Sequence, residues 1–228
     1  MRTGLPDRSL VGKRQIGGGN DQAPSVLAVS ADDAGQTGGI MAKIKLATTW
    51  LDGCSGCHMS LLDLDEGLIG LVEQVEIVYG PLVDYKTFPD HADVTLVEGA
   101  VSSEADKKNI NTIRVRSGVL VSFGDCAVTA NVPGMRNRYP VEALLRRGYV
   151  ENADPPLMAE GETGVKTCVA AFKDVPQLCR RARPVHEFVH VDVFLPGCPP
   201  PPEAIFYLLT ELLAGRIPDM QGRTRFGA

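Results

Sequence analysis

From residue 43 onward, short apolar runs rich in β-branched residues alternate with stretches whose apolar residues recur at helical spacing. Ile44 to Trp50, Val75 to Tyr79, Asp93 to Val97, Val119 to Phe123 and Val189 to Leu195 read as strands. Residues 59–74 place Leu61, Leu64, Leu68, Leu71 and Val72 along one helical face. Ser103, with Asp106 three residues on, predicts a capping box that opens a helix over 104–116. Pro140 to Gly148 reads as a short helix with Arg146 and Arg147 in its last turn. Pro201 to Ala214 reads as a closing helix, with Ile205, Leu208, Leu209, Leu212 and Leu213 on one side. Strands that are apolar throughout must be covered on both faces, which argues for a parallel sheet between helices. The expected fold is therefore α/β, a flavodoxin-like doubly wound parallel sheet over residues 43–228. Two stretches, 124–139 and 151–188, read as irregular, and loops of that length are commonly functional.

Residues 1–42 follow different rules. They carry Gly17-Gly18-Gly19 and Gly38-Gly39, and only Val26 to Val29 is continuously apolar. Such a segment buries too little to offset its ordering entropy, so we expect an extension that is disordered or ordered by a partner. Met41 offers a plainer reading, an alternative start that makes residues 1–40 dispensable. With 28 acidic and 23 basic residues the chain carries a net charge of −5 and no basic run, which argues against nucleic acid as a partner. No apolar run is long enough for a membrane helix, and no signal-peptide core follows Arg2, Arg8, Lys13 and Arg14. The expected location is the cytoplasm.

Six cysteines in a cytoplasmic chain read as ligands, reactive thiols or buried apolar residues rather than as a disulfide framework. Cys54 and Cys57 form a CxxC pair after the first strand, Cys126 follows the fourth and Cys198 the fifth. The carboxyl ends of parallel strands share one edge of a doubly wound sheet, where ligands bind. Four thiols far apart in sequence can thus meet there. Gly53, Gly56, Gly124 and Gly197 let backbone come close, and N–H groups donated to sulfur tune a cluster's potential. Structural zinc sites usually join two CxxC units, whereas one CxxC with two distant cysteines favours an iron–sulfur cluster. A redox dithiol at Cys54 and Cys57 would leave Cys126 and Cys198 without a use.

These residues resemble the small subunit of NiFe hydrogenases. The matching pieces are Trp50 to Cys57, Val97-Glu98-Gly99-Ala100-Val101, Gly124-Asp125-Cys126-Ala127 and Leu195-Pro196-Gly197-Cys198-Pro199-Pro200. The resemblance implies that Cys54, Cys57, Cys126 and Cys198 hold one 4Fe–4S cluster next to a NiFe centre in a large subunit. Longer family members add a cysteine-rich domain, whereas here only Cys168 and Cys179 are left over. The short form is similar to the small subunit of cytoplasmic NAD-reducing hydrogenases. That similarity implies a NiFe large subunit and diaphorase partners carrying FMN and further clusters. The fold allows an FMN in this chain too, but the cysteine loop occupies the place where a phosphate-binding loop would stand. Many relatives carry an acidic residue before the first cysteine, assigned to proton relay. Gly53 stands there in this chain, and Glu98, Ser55 and Asp52 are the remaining relay candidates. The cluster-bearing subunit of respiratory complex I is similar, but it has adjacent cysteines where two residues separate Cys54 from Cys57 here. A quinone-linked subunit and a zinc scaffold are thus the competing readings.

Simpler readings stand beside these. Glu98 reads equally as a carboxylate capping backbone N–H groups. His58 reads as a surface or interface histidine, Trp50 as core packing, and Cys168 and Cys179 as free thiols. Arg136, Arg138, Arg180, Arg181 and Arg183 read as solvated cations, or as a site for a flavin phosphate or an acidic partner surface. Protein purified without oxygen is expected to be brown, with iron and acid-labile sulfide, and a colourless zinc protein would sink the cluster reading.

Overall fold

A computed structural model describes residues 43–152 and 176–227. The chain runs through β1 (Ile44–Trp50), α1 (Gly56–Leu62), α2 (Glu66–Gln74), β2 (Val75–Tyr79), β3 (Ala92–Glu98), β4 (Val101–Ser103), α3 (Glu104–Arg116) and β5 (Ser117–Phe123). It continues through α4 (Asp125–Thr129), α5 (Asn131–Gly134), α6 (Val141–Arg146), β6 (Leu178–Arg183), β7 (Val193–Leu195) and α7 (Pro202–Leu213). Five strands form one sheet in the order β2-β1-β3-β5-β7, every pair parallel. Taken as first to fifth strand, this is the flavodoxin-like order, with its switch point between β1 and β3.

The apolar runs explain the layers. Alternate residues of β3 and β5 point to opposite faces, and both faces are buried. On one face Leu46, Val94, Leu96, Val121 and Phe123 pack with Leu71 of α2 and Ile205, Leu208, Leu209 and Leu212 of α7. On the other, Val97 and Leu120 pack with Ile110 and Ile113 of α3 and with Ala127 of α4. Helix α3 begins as its sequence dictates. The Ser103 hydroxyl accepts the Asp106 N–H at 3.1 Å, and the Asp106 carboxylate accepts the Ser103 N–H at 2.8 Å. Glu104 and Asp106 in its first turn and Arg114 and Arg116 in its last match the helix dipole.

Several expectations need correction. The helix read over 59–74 is two helices, because the chain turns over Asp63–Asp65, with Asp65 at a positive φ of 49°. The last sheet strand covers only Val193–Leu195, since Val189 and Val191 pack in the preceding loop against the α3 face. The helix expected over 140–148 is α6, continued by a single π turn over Arg147–Glu151. The stretches read as irregular contain order. Residues 125–138 form α4, α5 and a 3-10 turn, and β6 pairs antiparallel with β4 in a two-stranded ribbon. Strand β6 leaves little trace in the sequence because Leu-Cys-Arg-Arg-Ala-Arg lacks the apolar run of a buried strand. The extension over 1–42 and Cys168 lie outside the described residues. Ser103→Ala is expected to lower stability by about 1 kcal/mol in urea denaturation, with the fold retained.

Candidate metal centre

The carboxyl ends of β1, β3, β5 and β7 stand along one edge of the sheet, and each hands the chain to a loop of the site. After β1, Leu51 N–H donates to Glu98 O at 2.8 Å. Asp52 and Ala100 exchange backbone bonds of 3.0 and 2.7 Å. The loop that carries Cys54 is thereby fastened beside the end of β3. Ser55 takes a positive φ of 70° and opens α1, so Cys57 lies in that helix's first turn. Cys126 lies likewise in the first turn of α4, and Cys198 sits in the loop between β7 and α7. Cys57 and Cys126 are buried, while Cys54 and Cys198 are exposed.

One buried carboxylate binds two of these loops together. Asp125 is 4% exposed. Its Oδ1 accepts the Gly197 N–H at 2.7 Å, and its own N–H donates to Gly197 O at 2.8 Å. Its Oδ2 accepts the Gly227 N–H at 2.7 Å. The residue before Cys126 thus holds the residue before Cys198. Gly124 N–H donates to Leu195 O at 2.8 Å, which joins the same loops one step earlier. Ser60 Oγ donates to Pro200 O at 2.6 Å and ties α1 to the far side of Cys198.

Two glycines make the approach sterically feasible. Gly124 has a φ of 82°, and a Cβ there would stand 2.1 Å from Cys57 Sγ. The thiol therefore occupies the space a side chain at 124 would fill. Gly197 has a φ of 138°, and a Cβ would stand 2.5 Å from Pro200 Cα. Both positions favour glycine by conformation as well as by space.

The electrostatics fit a site built for a cationic occupant. Burial pushes the Cys57 thiol well above its ordinary range, and Glu98, Cys126, Cys54 and Cys198 push it the same way. Burial also raises Cys126, with Cys54, Cys198 and Glu98 adding to the shift, while the Val132 backbone N–H opposes it. Four thiols thus share one electrostatic neighbourhood, in which each thiolate would oppose the next. Metal charge is what would let these groups ionise together. Asn131 Nδ2 lies 3.6 Å from Cys198 Sγ and supplies a donor. No group of three or more His, Cys, Asp or Glu side chains among the described residues is placed to hold a metal ion. The fit to an iron–sulfur cluster rests on the donor set, the thiol-filled cradle at Gly124 and the N–H groups that face sulfur.

The relay candidates meet at one small cavity. Ser55 and Glu98 line a space of about 60 Å³ with Trp50, Leu51 and Gly53. Glu98 is 2% exposed, and its Oε1 lies 3.6 Å from where a Cβ at Gly53 would begin. The carboxylate therefore stands beside the empty side-chain position of residue 53. Asp52 faces Ala100 in an isolated antiparallel bridge. Glu98 Oε2 accepts the His58 backbone N–H at 3.2 Å, so the capping role holds.

His58 is not the surface residue its sequence suggests. It is 2% exposed, its Nδ1 contacts Glu98 Oε2, and Trp50 Nε1 donates to the same nitrogen at 2.7 Å. Its Nε2 is buried without a protein partner. Trp50, read as core packing, is 43% exposed, with the His58 ring edge-on to it at 5.4 Å. The only sequence signal for His58 is position, since it follows a ligand candidate and begins a helix whose inner face turns to Phe123. Asp125 carries a signal of the same kind, because an acid between Gly124 and Cys126 at a strand end is a ready backbone acceptor.

The spare thiol Cys179 lies on β6, buried, with Sγ 3.6 Å from Glu104 Oε1 and away from the four others. The arginines divide. Arg136 turns inward and donates to Ser102 O at 2.9 Å and Cys179 O at 3.1 Å. Arg138, Arg180, Arg181 and Arg183 line an open cleft.

The family described as NADH ubiquinone oxidoreductase, 20 Kd subunit, matches residues 54–212. The chain is 39% identical over 178 residues to the NAD-reducing hydrogenase HoxS subunit delta of Cupriavidus necator, covering 78% of this chain and 82% of that one. It is 36% identical to a subunit of the F420-non-reducing hydrogenase vhu of Methanocaldococcus jannaschii, over 79% of this chain and 60% of the relative's length. The crystal structure of an NAD+-reducing NiFe hydrogenase in the H2-reduced state contains a chain that superposes with a TM-score of 0.71 at 35% identity. That match covers 81% of this chain and 99% of the other. In native, metal-free protein, mass spectrometry is expected to find Cys54 and Cys198 alkylated quickly and Cys57 slowly. Gly124→Ala, by displacing the Cys57 thiol, should bring its alkylation rate up towards that of the exposed pair.

Proposed function

The chain belongs to the family of the NADH ubiquinone oxidoreductase 20 Kd subunit, and from that premise we propose that it is the small electron-transfer subunit of a soluble NAD-reducing NiFe hydrogenase. The observation that carries the reading is that three loops bearing the four cysteines leave one sheet edge, two of them joined by Asp125. Cys54, Cys57, Cys126 and Cys198 are the ligands of one 4Fe–4S cluster, and four thiols arriving from three strand ends suit a multi-atom group better than a single zinc ion. Bound there, the cluster supplies one-electron transfer between the hydrogen-splitting centre of a large subunit and the diaphorase subunits that carry FMN and further clusters. This chain's own residues set the conditions. The first turns of α1 and α4 present their thiols with backbone N–H groups nearby, and Asn131 orients Cys198. Glu98 and Ser55, on their shared cavity, hold and pass a proton towards the large subunit. The cysteine loop occupies the first βα turn, where a phosphate cradle would stand, so this reading favours FMN in the partners over FMN in this chain. A cytoplasmic location is part of this reading. No helix among the described residues is long and apolar enough to cross a membrane.

A quinone-linked role has one observation in its favour, the description of the matched family. The two residues between Cys54 and Cys57 and the hydrogenase relatives weigh against it. Affinity purification without oxygen separates the readings. The expected result is a nickel-containing large subunit with iron and sulfide in this chain, and a quinone-reducing complex without nickel would overturn the hydrogenase assignment. In that complex Glu98→Gln is expected to slow H2 turnover by about tenfold or more, with the iron content unchanged.

A further inference from the structure

Two cavities border the loops that carry the four cysteines. One is the small cavity of Ser55 and Glu98 at the β1 and β3 ends. The other begins at Asn131, whose amide reaches Cys198 Sγ and which also lines an open cleft of about 890 Å³ between α5 and β6. Thr129 and Ala130, which close the helix opened by Cys126, form the adjoining wall. This cleft therefore reaches Cys198 through Asn131 and Cys126 through the end of its helix, and it shares no lining residue with the proton cavity.

Its chemistry is strongly one-sided. Lys107, Arg138, Arg180, Arg181 and Arg183 line it against a single carboxylate, Glu187. Arg183 pairs with Glu187 at 3.0 Å, and Lys107 with Glu104 at 2.6 Å. Arg138, Arg180 and Arg181 have no carboxylate partner among the described residues. Arg136 donates to the Ser102 and Cys179 carbonyls, and among the described residues its Nε and Nη1 have no partner and no carboxylate neutralises it. On a chain of net charge −5, this concentration of cations is local and directed. Met135, on the cleft rim, is 68% exposed, and Val132 on the same helical segment is 56% exposed. Arginine and methionine without lysine excess are what protein interfaces enrich. A free phosphate or nucleotide would be gripped by cations converging on one point. Here Arg138 stands on the turn after α5 and Arg180 and Arg181 are successive residues of β6, so the cations come from two separate walls of the cleft rather than from one loop.

We propose that this arginine-lined cleft is the docking surface for an acidic iron–sulfur protein that takes electrons from the cluster at Cys198. The proposal rests on the cluster reading above and deepens it by assigning the exit side. The step is a one-electron transfer: the cluster held here is oxidised, and that of the partner is reduced, with no proton or atom exchanged across the cleft. Arg138, Arg180 and Arg181 steer the acidic face, Met135 and Val132 supply apolar contact, and Asn131 forms the boundary between the two redox groups.

The test is isolation of the anaerobic complex through a tag on the full chain, wild type beside R138E/R180E/R181E. The variant is expected to keep its iron and its large subunit while losing the acidic iron–sulfur partner. Association should be at least about tenfold weaker at low salt, the difference shrinking as salt screens the charges. A variant that retains this partner in full ratio at every salt concentration overturns the proposal. So does a wild-type complex with the large subunit and no acidic iron–sulfur protein. A wild-type chain without iron fails the cluster reading instead, whatever its partners. Should the triple variant misfold, R180K and R181K supply amines for carbodiimide coupling. Cross-links from those lysines to acidic residues of the iron–sulfur partner are expected, and coupling to the large subunit alone would overturn the assignment.

Discussion

Asp125 is the residue on which the site's geometry turns. A carboxylate that is 4% exposed must find donors, and here all of them are backbone N–H groups of other loops. The bond to Gly197 is reciprocal, since Asp125 also donates its own N–H to Gly197 O. A pair of that kind fixes relative position along two directions at once. Cys126 and Cys198 are therefore placed by one interaction. The Gly124 cradle then sets where Cys57 can lie relative to both. Cys54 alone is left to its own loop, which the exchange between Asp52 and Ala100 holds at the end of β3.

Much of this could be read from the sequence because burial on both faces writes itself as a continuous apolar run. β3 and β5 carry that mark, while β1 and β2 show it only in part and the capping box marks α3, and the strand order placed Cys54, Cys57, Cys126 and Cys198 just beyond strand ends. Elements that are short or face water lack it. β6 is half arginine, α4 and α5 span five and four residues, and neither helix shows a period long enough to recognise. The break between α1 and α2 is set by Asp65 at positive φ, a local choice that helical spacing cannot reveal. The role of Asp125 depends on which backbone donors arrive from residues 197 and 227, and that is information only the fold contains.

His58 shows a different limit. A single histidine among apolar neighbours gives no hint of its partner, yet it completes a row that runs inward from the exposed Trp50 through buried His58 to buried Glu98. One ring nitrogen meets a donor and a carboxylate together, and it has one lone pair or one proton to offer. Satisfying both at once is impossible for a neutral ring beside an ionised Glu98. The row is thus sensitive to where a proton sits, and it adjoins the loop that carries Cys54 and Ser55.

The unequal exposure of the four thiols has a consequence for assembly. Cys57 and Cys126 form the floor of the bay, and Cys54 and Cys198 its rim. Anything delivered to the floor must cross the rim first. A large subunit seated over the Ser55 cavity and a redox partner seated in the arginine cleft would close both approaches. On that reading, loading would have to precede assembly, because a complex closed on both sides would leave no route by which to replace what was inserted.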